Sequence, residues 1–220
     1  MKSLELKKRI ITSIFLLTLL FLMFSYSFIL IISSIVIGLI SWIEFYALIS
    51  KIFKKKSIEN QILRFLYKSS SLLYLSGLVF IIISAKLVNL NLYFVIIYSL
   101  LVAIMSDIGG LVIGKIFKGK KLSKISPNKT ISGSFGSFIF PLLLIPFFLE
   151  IFNNYNFLTI IIFTEIISLA SQLGDLFISL LKRKAKVKNT SDLLPGHGGV
   201  LDRIDSIIFA LPVGLLIFNI

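Results

Sequence analysis

From Ile10 to Ile43 the chain carries no charged residue. That run does most to decide what the chain can fold into, because a bilayer core about 30 Å thick takes about 20 apolar residues as one helix. The stretch is too long for a single crossing and just long enough for two, with a turn expected near Ser25-Tyr26-Ser27. Further apolar runs lie at about 70–85, 90–105, 134–149, 157–173 and 204–220. Backbone groups surrounded by hydrocarbon must be satisfied internally, which favours helices for such runs. The expected fold is therefore all-α, a polytopic transmembrane bundle of about seven membrane helices, read as a single integral-membrane domain over residues 1–220. Several runs are short and call for tilt, re-entrance or local bilayer thinning. At 57% hydrophobic residues and a mean hydropathy of +1.00, a soluble domain is excluded.

Charge sets the expected orientation. Lys and Arg accumulate in cytoplasmic loops, and every Lys and Arg except Lys86 falls in the segments 1–9, 44–69, 106–133 and 174–203. The expectation is a cytoplasmic N-terminus, an odd number of spans and a far-side C-terminus in the inner cell membrane. Lys7-Lys8-Arg9 ahead of an apolar run resembles a secretory signal, but no A-x-A-like site interrupts that run, so a retained first span is expected. The net charge of +13 sits between hydrophobic runs, where it marks topology and phosphate contact rather than nucleic acid. The chain has no cysteine, which excludes disulfides and thiolate metal sites.

The densest chemistry is Leu194-Pro195-Gly196-His197-Gly198-Gly199-Val200-Leu201-Asp202-Arg203-Ile204-Asp205. Glycines let backbone N–H groups approach a phosphate closely. A helix starting near Leu201 would put Asp202 and Asp205, three apart, on one face, where two carboxylates either grip a divalent cation or simply cap the helix start. A second cluster holds Ser106-Asp107-Ile108-Gly109-Gly110, then Gly114-Lys115 to Lys121, then Ser126-Pro127-Asn128-Lys129-Thr130. Asp107 closes an apolar span, where an ionisable group is expensive and points to function; its plain alternative is a carboxylate snorkelling to the interface. A third runs from Ser171-Gln172-Leu173-Gly174-Asp175 to Ser179, Lys182 and Arg183, with Asp175, Ser179 and Arg183 spaced four apart along one helix face. That row suits metal and phosphate, or a polar relay within the bundle. Glu44, beside Trp42, and Glu165 read either as functional groups or as buried structural partners, and Trp42 as an interfacial anchor.

Together these clusters resemble the phosphatidate cytidylyltransferase, or CDP-diacylglycerol synthase, family. The signature S-x-x-K-R-x4-K-D-x-[GSA]-x2-[LIF]-P-x-H-G-G-x2-D-R-x-D is met at Ser179, Lys182, Arg183, Lys188, Ser191, Leu194, Pro195, His197, Gly198, Gly199, Asp202, Arg203 and Asp205, with Asn189 standing where the pattern has Asp. Ser106 to Gly110 resembles S-D-x-G-A, Ser126 to Gly133 matches S-P-x-K-T-x-x-G, and Gly174 to Ser179 matches G-D-L-x-x-S. Arg9-Ile10-Ile11-Thr12 and Trp42-x-Glu44 are weaker likenesses.

The resemblance implies a nucleotidyltransferase that converts CTP and phosphatidate to CDP-diacylglycerol and diphosphate, with 106–133 and 174–205 as cytosol-facing catalytic segments. It makes Asp175, Asp202 and Asp205 the expected ligands of Mg²⁺ or a related divalent ion, with a second metal ion as a further expectation and Asp107 as an additional carboxylate. Lys182, Arg183, Lys188 and Arg203 are expected on phosphates, with Ser179, Lys129, Thr130, Gly198 and Gly199 as further substrate contacts. For His197 three roles stay open: donor to a phosphate, proton carrier, or shaper of the turn. A homodimer is a family expectation that no residue here carries. Two other readings compete, a CTP-dependent polyprenol or phytol kinase and a membrane transporter. The kinase would release CDP rather than diphosphate, and the transporter would favour charges at the bilayer midplane.

Overall fold

The computed structural model describes residues 2–55, 57–123, 126 and 129–218, with side chains from Leu6 onward. Among them the secondary structure is helical, apart from two isolated bridges. Nine helices follow in order: α1 Lys2–Ser25, α2 Ser27–Ile52, α3 Ile58–Val88, α4 Leu90–Phe117, α5 Ile131–Leu142, α6 Ile145–Phe148, α7 Phe157–Lys184, α8 Leu201–Ile204 and α9 Ile207–Ile217. Among the described residues six stretches are long and apolar enough to cross a membrane: Leu6–Ser25, Ser27–Ile52, Ile58–Val88, Leu90–Phe117, Ile131–Phe148 and Phe157–Lys184. The final apolar run, expected as a seventh span, forms α9, whose 11 residues reach only about 16 Å at 1.5 Å each. The expected turn at 25–27 is present as a single extended residue, Tyr26, at φ −124° and ψ 116°.

Helices run further than the apolar runs do. α3 begins at Ile58 rather than near 70, and α7 continues through Lys182 and Arg183. Charged residues end the part of a helix that suits hydrocarbon without ending the helix, since Lys, Arg and Glu are good helix formers. The breaks have local causes. Asn89 caps α4 by accepting from Leu92 N–H at 3.1 Å, and Thr130 caps α5 by accepting from Gly133 N–H at 3.0 Å. Pro146, which lacks an N–H and crowds the carbonyl one turn earlier, accompanies the interruption between α5 and α6.

The chain divides into two compact units. The first holds residues 1–88 and 181–204. There α2 packs on α1 and α3, burying Leu30, Leu48, Ile49, Leu75, Leu78 and Ala85. Lys86, the one basic residue outside the expected cytoplasmic segments, donates from Nζ to Phe24 O at 3.1 Å and so satisfies a carbonyl at the end of α1.

The second unit holds residues 89–180 and 205–220. Its core joins Val95, Tyr98 and Val102 of α4 to Ile160 and Ile167 of α7, Ala210 of α9, and Phe148, Phe152 and Phe218. Tyr98 OH and Thr164 Oγ1 lie 2.6 Å apart, and Tyr155 OH donates to Phe218 O, so the polar tips of this aromatic cluster are satisfied. α4 and α5 meet through small residues: a β-carbon on Gly136 would lie 2.5 Å from Cβ of Ile113, and one on Gly109 would lie 2.7 Å from Cβ of Phe140. Such small-residue seams are how helices approach closely in lipid. Many large apolar side chains face outward, Phe28, Leu73, Phe80 and Phe147 among them, as expected where hydrocarbon is the solvent.

Candidate active site

In the first unit the glycine-rich segment folds into a tight turn. Leu194 N–H donates to Gly198 O at 2.8 Å, while Leu194 O accepts from the N–H groups of His197 at 2.9 Å and Gly198 at 3.1 Å. Closure needs φ of +76° at Gly196 and +86° at Gly198, a region that residues with a β-carbon avoid. A β-carbon at Gly198 would also come within 2.9 Å of Asp202 Oδ2.

Two carboxylates hold this segment. Glu44 of α2, only 4% exposed, accepts four hydrogen bonds. Oε1 takes Ser191 Oγ at 2.6 Å and Val200 N–H at 3.0 Å; Oε2 takes Thr190 Oγ1 at 2.7 Å and Leu201 N–H at 2.8 Å. Asp202, on the single turn α8, accepts at Oδ2 from the N–H groups of Thr190 at 2.8 Å and Gly199 at 3.0 Å, and at Oδ1 from Lys182 Nζ at 2.7 Å. Thr190 Oγ1 also lies 3.0 Å from Asp202 Oδ2, but its single proton suits the shorter contact to Glu44. Burial pushes the Asp202 carboxyl up; the Lys182 ammonium and the Thr190 and Gly199 N–H groups outweigh it and hold the group below the usual carboxylate range.

His197 stands at the head of the turn. Its Nε2 lies 3.3 Å from Ser13 Oγ, and the Thr12 hydroxyl, 2.9 Å from both Pro195 O and Lys8 O, shares its one proton between the turn and its own helix, so α1 contacts the turn from a second side. Arg203 donates from Nε and Nη2 to His197 O at 3.2 and 2.7 Å. Partial burial lowers the His197 pKa, the charges of Arg203 and Arg9 add to the effect, and the Pro195 carbonyl opposes it. Arg183, Lys188 and Asn189 are exposed, and Asn189 lies beside Gly198.

In the second unit Lys129 and Asp175 form an ion pair through Nζ and Oδ2, and Ser179 Oγ donates to Asp175 Oδ1 at 3.3 Å. Asp175 is thus paired to the loop ahead of α5. Thr130 Oγ1 accepts the α5 cap bond and keeps its own proton to donate, while Leu122 N–H to Lys129 O at 2.8 Å and Ile131 N–H to Lys120 O at 2.9 Å tie residues 120–122 to 129–131. Pro127 and Asn128 of the same motif lie outside the described residues. Asp107, exposed at its place on α4, accepts from Ser206 Oγ at 2.9 Å; Asp205, 7% exposed, accepts from Ser206 N–H at 3.0 Å. α8 starts at Leu201 as the sequence suggests, but ends before Asp205.

Among the described residues no three His, Asp or Glu side chains gather as a metal-binding group. Mg²⁺, however, is commonly held by one or two carboxylates plus water and substrate phosphate, and Asp202 in the first unit and Asp175 and Asp205 in the second each offer hard carboxylate oxygens of that kind. Two of these acids instead carry a lysine, Lys129 on Asp175 and Lys182 on Asp202. Sequence reasoning left Glu44 ambiguous and gave no role to Thr12, Ser13 or Thr190. The signal at Glu44 was a carboxylate directly after a long apolar run and beside Trp42; hydroxyls carry none of comparable weight.

Comparison with known proteins places these features in a lineage. The chain is 41% identical over 121 residues to the phosphatidate cytidylyltransferase of Staphylococcus saprophyticus, 42% over 123 residues to that of Staphylococcus haemolyticus and 43% over 121 residues to that of Staphylococcus aureus strain COL. Each match covers 54% of this chain and 46% of the relative, so it spans about half the length of these curated relatives. The cytidylyltransferase family pattern itself extends over residues 3–220, and the chain belongs to that family.

Proposed function

We propose that this protein is a phosphatidate cytidylyltransferase, transferring the cytidylyl group of CTP to phosphatidate and releasing diphosphate. One observation carries the reading beyond family membership: two acids of the signature motifs are held in lysine–carboxylate pairs, Lys129 with Asp175 and Lys182 with Asp202. Such pairs suit a site that must accept a polyanion together with its cation, because the carboxylate can turn to a metal while the ammonium turns to a phosphate.

The chemistry fits these groups. A phosphate monoester has a second pKa of about 6, so phosphatidate is largely dianionic near neutrality and needs no strong base. Its oxygen attacks the α-phosphorus of CTP, the bond to the bridging oxygen breaks, and diphosphate leaves with that electron pair. Lys129, Lys182, Arg183, Lys188 and Arg203 supply fixed positive charge for the approaching phosphates and the leaving group. Gly198 and Gly199 bring main chain close to them, Thr130 and Ser179 add hydroxyls, and Asp107 supports the second carboxylate group. Asp175, Asp202 and Asp205 are the proposed ligands of Mg²⁺ or a related ion, which when bound neutralises phosphate charge. His197, neutral at pH 7, is a hydrogen-bond partner on the turn rather than a fixed cation. The distribution of Lys and Arg supports a cytoplasmic N-terminus and cytoplasmic catalytic segments in the inner cell membrane.

The test is product analysis. Purified protein given labelled CTP, phosphatidate and Mg²⁺ should yield CDP-lipid and diphosphate in equal amounts. Release of CDP with a phosphorylated lipid would instead establish a kinase. Asp175→Asn, which keeps the shape of the side chain and its bond to Ser179, should lower turnover by on the order of a hundredfold or more with an unchanged elution profile; full activity in a variant with that profile would remove Asp175 from the site.

A further inference from the structure

On the first unit, α2 and α3 enclose an open groove of about 630 Å³. Trp42 and Tyr46 of α2 line one wall, and Arg64, Phe65, Lys68 and Leu72 of α3 the other. Trp42 and Tyr46 lie two residues either side of Glu44, which on a helix is nearly half a turn away. The groove therefore opens on the face of α2 opposite the one that holds the signature turn.

Depth identifies what the groove meets. α3 has 31 residues, about 46 Å of helix, against a hydrocarbon core of about 30 Å. Residues 72–85 carry no charge, so the surplus falls at the polar start that holds Glu59, Arg64, Lys68 and Ser69 to Ser71. Arg64 and Lys68 thus lie at headgroup level, with the apolar part of the groove continuing below them. Trp and Tyr belong at the same level.

Both cations are half-buried, and among the described residues neither is in an ion pair. Lys68 is fixed in place: its Nζ lies 3.2 Å from the centre of the Tyr46 ring, and its carbonyl accepts from Trp42 Nε1 at 3.2 Å. A cation–π contact orients the ammonium without neutralising it. Arg64, one turn earlier, presents a planar fork suited to phosphate oxygens. Two uncompensated cations one helical turn apart, above an apolar slot, complement one phosphodiester and one acyl chain.

We infer that this groove binds an anionic glycerophospholipid, its phosphate between Arg64 and Lys68 and an acyl chain along Phe65 and Leu72, as a lipid site separate from the one where reaction occurs. A zwitterionic lipid brings its own cation and competes less well. Each cation near an anionic headgroup favours binding by about fivefold.

Trp42 is the only tryptophan in the chain and lies in the groove, so it serves as the reporter. The full chain is reconstituted in phosphatidylcholine bilayers that contain acyl-brominated phosphatidylglycerol or, in parallel, acyl-brominated phosphatidylcholine. The anionic quencher should act several-fold more effectively than its mole fraction predicts. Arg64→Gln with Lys68→Gln should reduce the preference towards unity, and the charge-conserving exchange Arg64→Lys with Lys68→Arg should retain it. Lys54→Gln with Lys55→Gln, which weakens general surface attraction, should leave most of it. Equal quenching by the two lipids, persistence of the preference in the Arg64/Lys68 double variant, or its loss in the Lys54/Lys55 variant would each overturn the assignment. So would release of quenching by inorganic phosphate alone, which would give the site to a soluble anion.

Discussion

Glu44 offers the sharpest test of how the glycine-rich turn is held. Each of its oxygens accepts one hydroxyl and one backbone N–H: Ser191 and Val200 at Oε1, Thr190 and Leu201 at Oε2. In Glu44→Ala the hydroxyls can rotate to other acceptors, but the N–H groups of Val200 and Leu201 cannot. Orphaning a buried donor costs about 1–3 kcal/mol, so the alanine variant should lose about 2–6 kcal/mol locally. Glu44→Gln differs in a way the geometry dictates. Its carbonyl serves one hydroxyl and N–H pair, and its amide can donate to the other hydroxyl, leaving a single N–H without an acceptor and a cost of about 1–3 kcal/mol. With 1.4 kcal/mol worth tenfold, amide exchange at Val200 or Leu201 should quicken about five- to hundredfold in the glutamine variant and further in the alanine variant, while amides of the second unit keep their rates. Hydrogen exchange by mass spectrometry in detergent reads this directly. Unchanged exchange across 190–201 in Glu44→Ala would refute the claim that this carboxylate anchors the turn.

Two further outcomes follow from other parts of the chain. His197 titrates below its ordinary value of 6.5 in the folded protein, so between the folded and unfolded values the unfolded chain binds more protons; the contribution is fully present above about pH 6.5 and is lost as pH falls through the folded value. Thermal midpoints measured from pH 7 down to 4.5 should therefore fall less steeply in His197→Gln than in the parent, and parallel curves would contradict the shift. On the α4–α5 seam, Gly136→Ala must displace the Gly109 carbonyl as well as Ile113 and should cost about 1–3 kcal/mol, whereas Gly77→Ala, whose β-carbon meets nothing within 4 Å, should be neutral or slightly stabilising; equal thermal midpoints for the two would show that the seam is loose.

What the sequence made legible follows the strength of each physical signal. The break at Tyr26 was visible because two spans cannot share one helix of that length, and the α8 start at Leu201 because glycines give way there to an apolar residue and a carboxylate. The charged end of α7 was legible from the four-residue spacing of Asp175, Ser179 and Arg183, whereas the polar first turns of α3 were missed as helix, since hydropathy reports where hydrocarbon begins and is silent on where backbone hydrogen bonding stops. The same blindness hid the seventh run's outcome: a hydropathy profile cannot distinguish a full crossing from the 11 residues of α9. Partners were harder still. The helix face that aligned Asp175 with Ser179 was legible, and Ser179 Oγ does donate to Asp175, but its ion pair is with Lys129, 46 positions earlier in the chain and next to the α5 cap at Thr130.

The position of Glu44 shows why such a residue belongs in an apolar span at all. A carboxylate there is expensive unless its lone pairs are filled, and the donors that fill them come from residues 190–201, 146 to 157 positions along the chain. The requirement works in both directions. Without the turn, α2 would bury an unsatisfied carboxylate; without Glu44, the turn would leave two N–H groups with no acceptor at the foot of α8. Each element is stable only in the other's company, so the geometry that presents Gly198, Gly199 and Asp202 is set by the fold of the helices rather than by the loop's own preferences. Glycine-rich segments are otherwise the most mobile in a chain, and here the N–H groups of Gly198 and Gly199 are both taken up inside the turn, by Leu194 O and Asp202 Oδ2, so that freedom is removed by the fold itself.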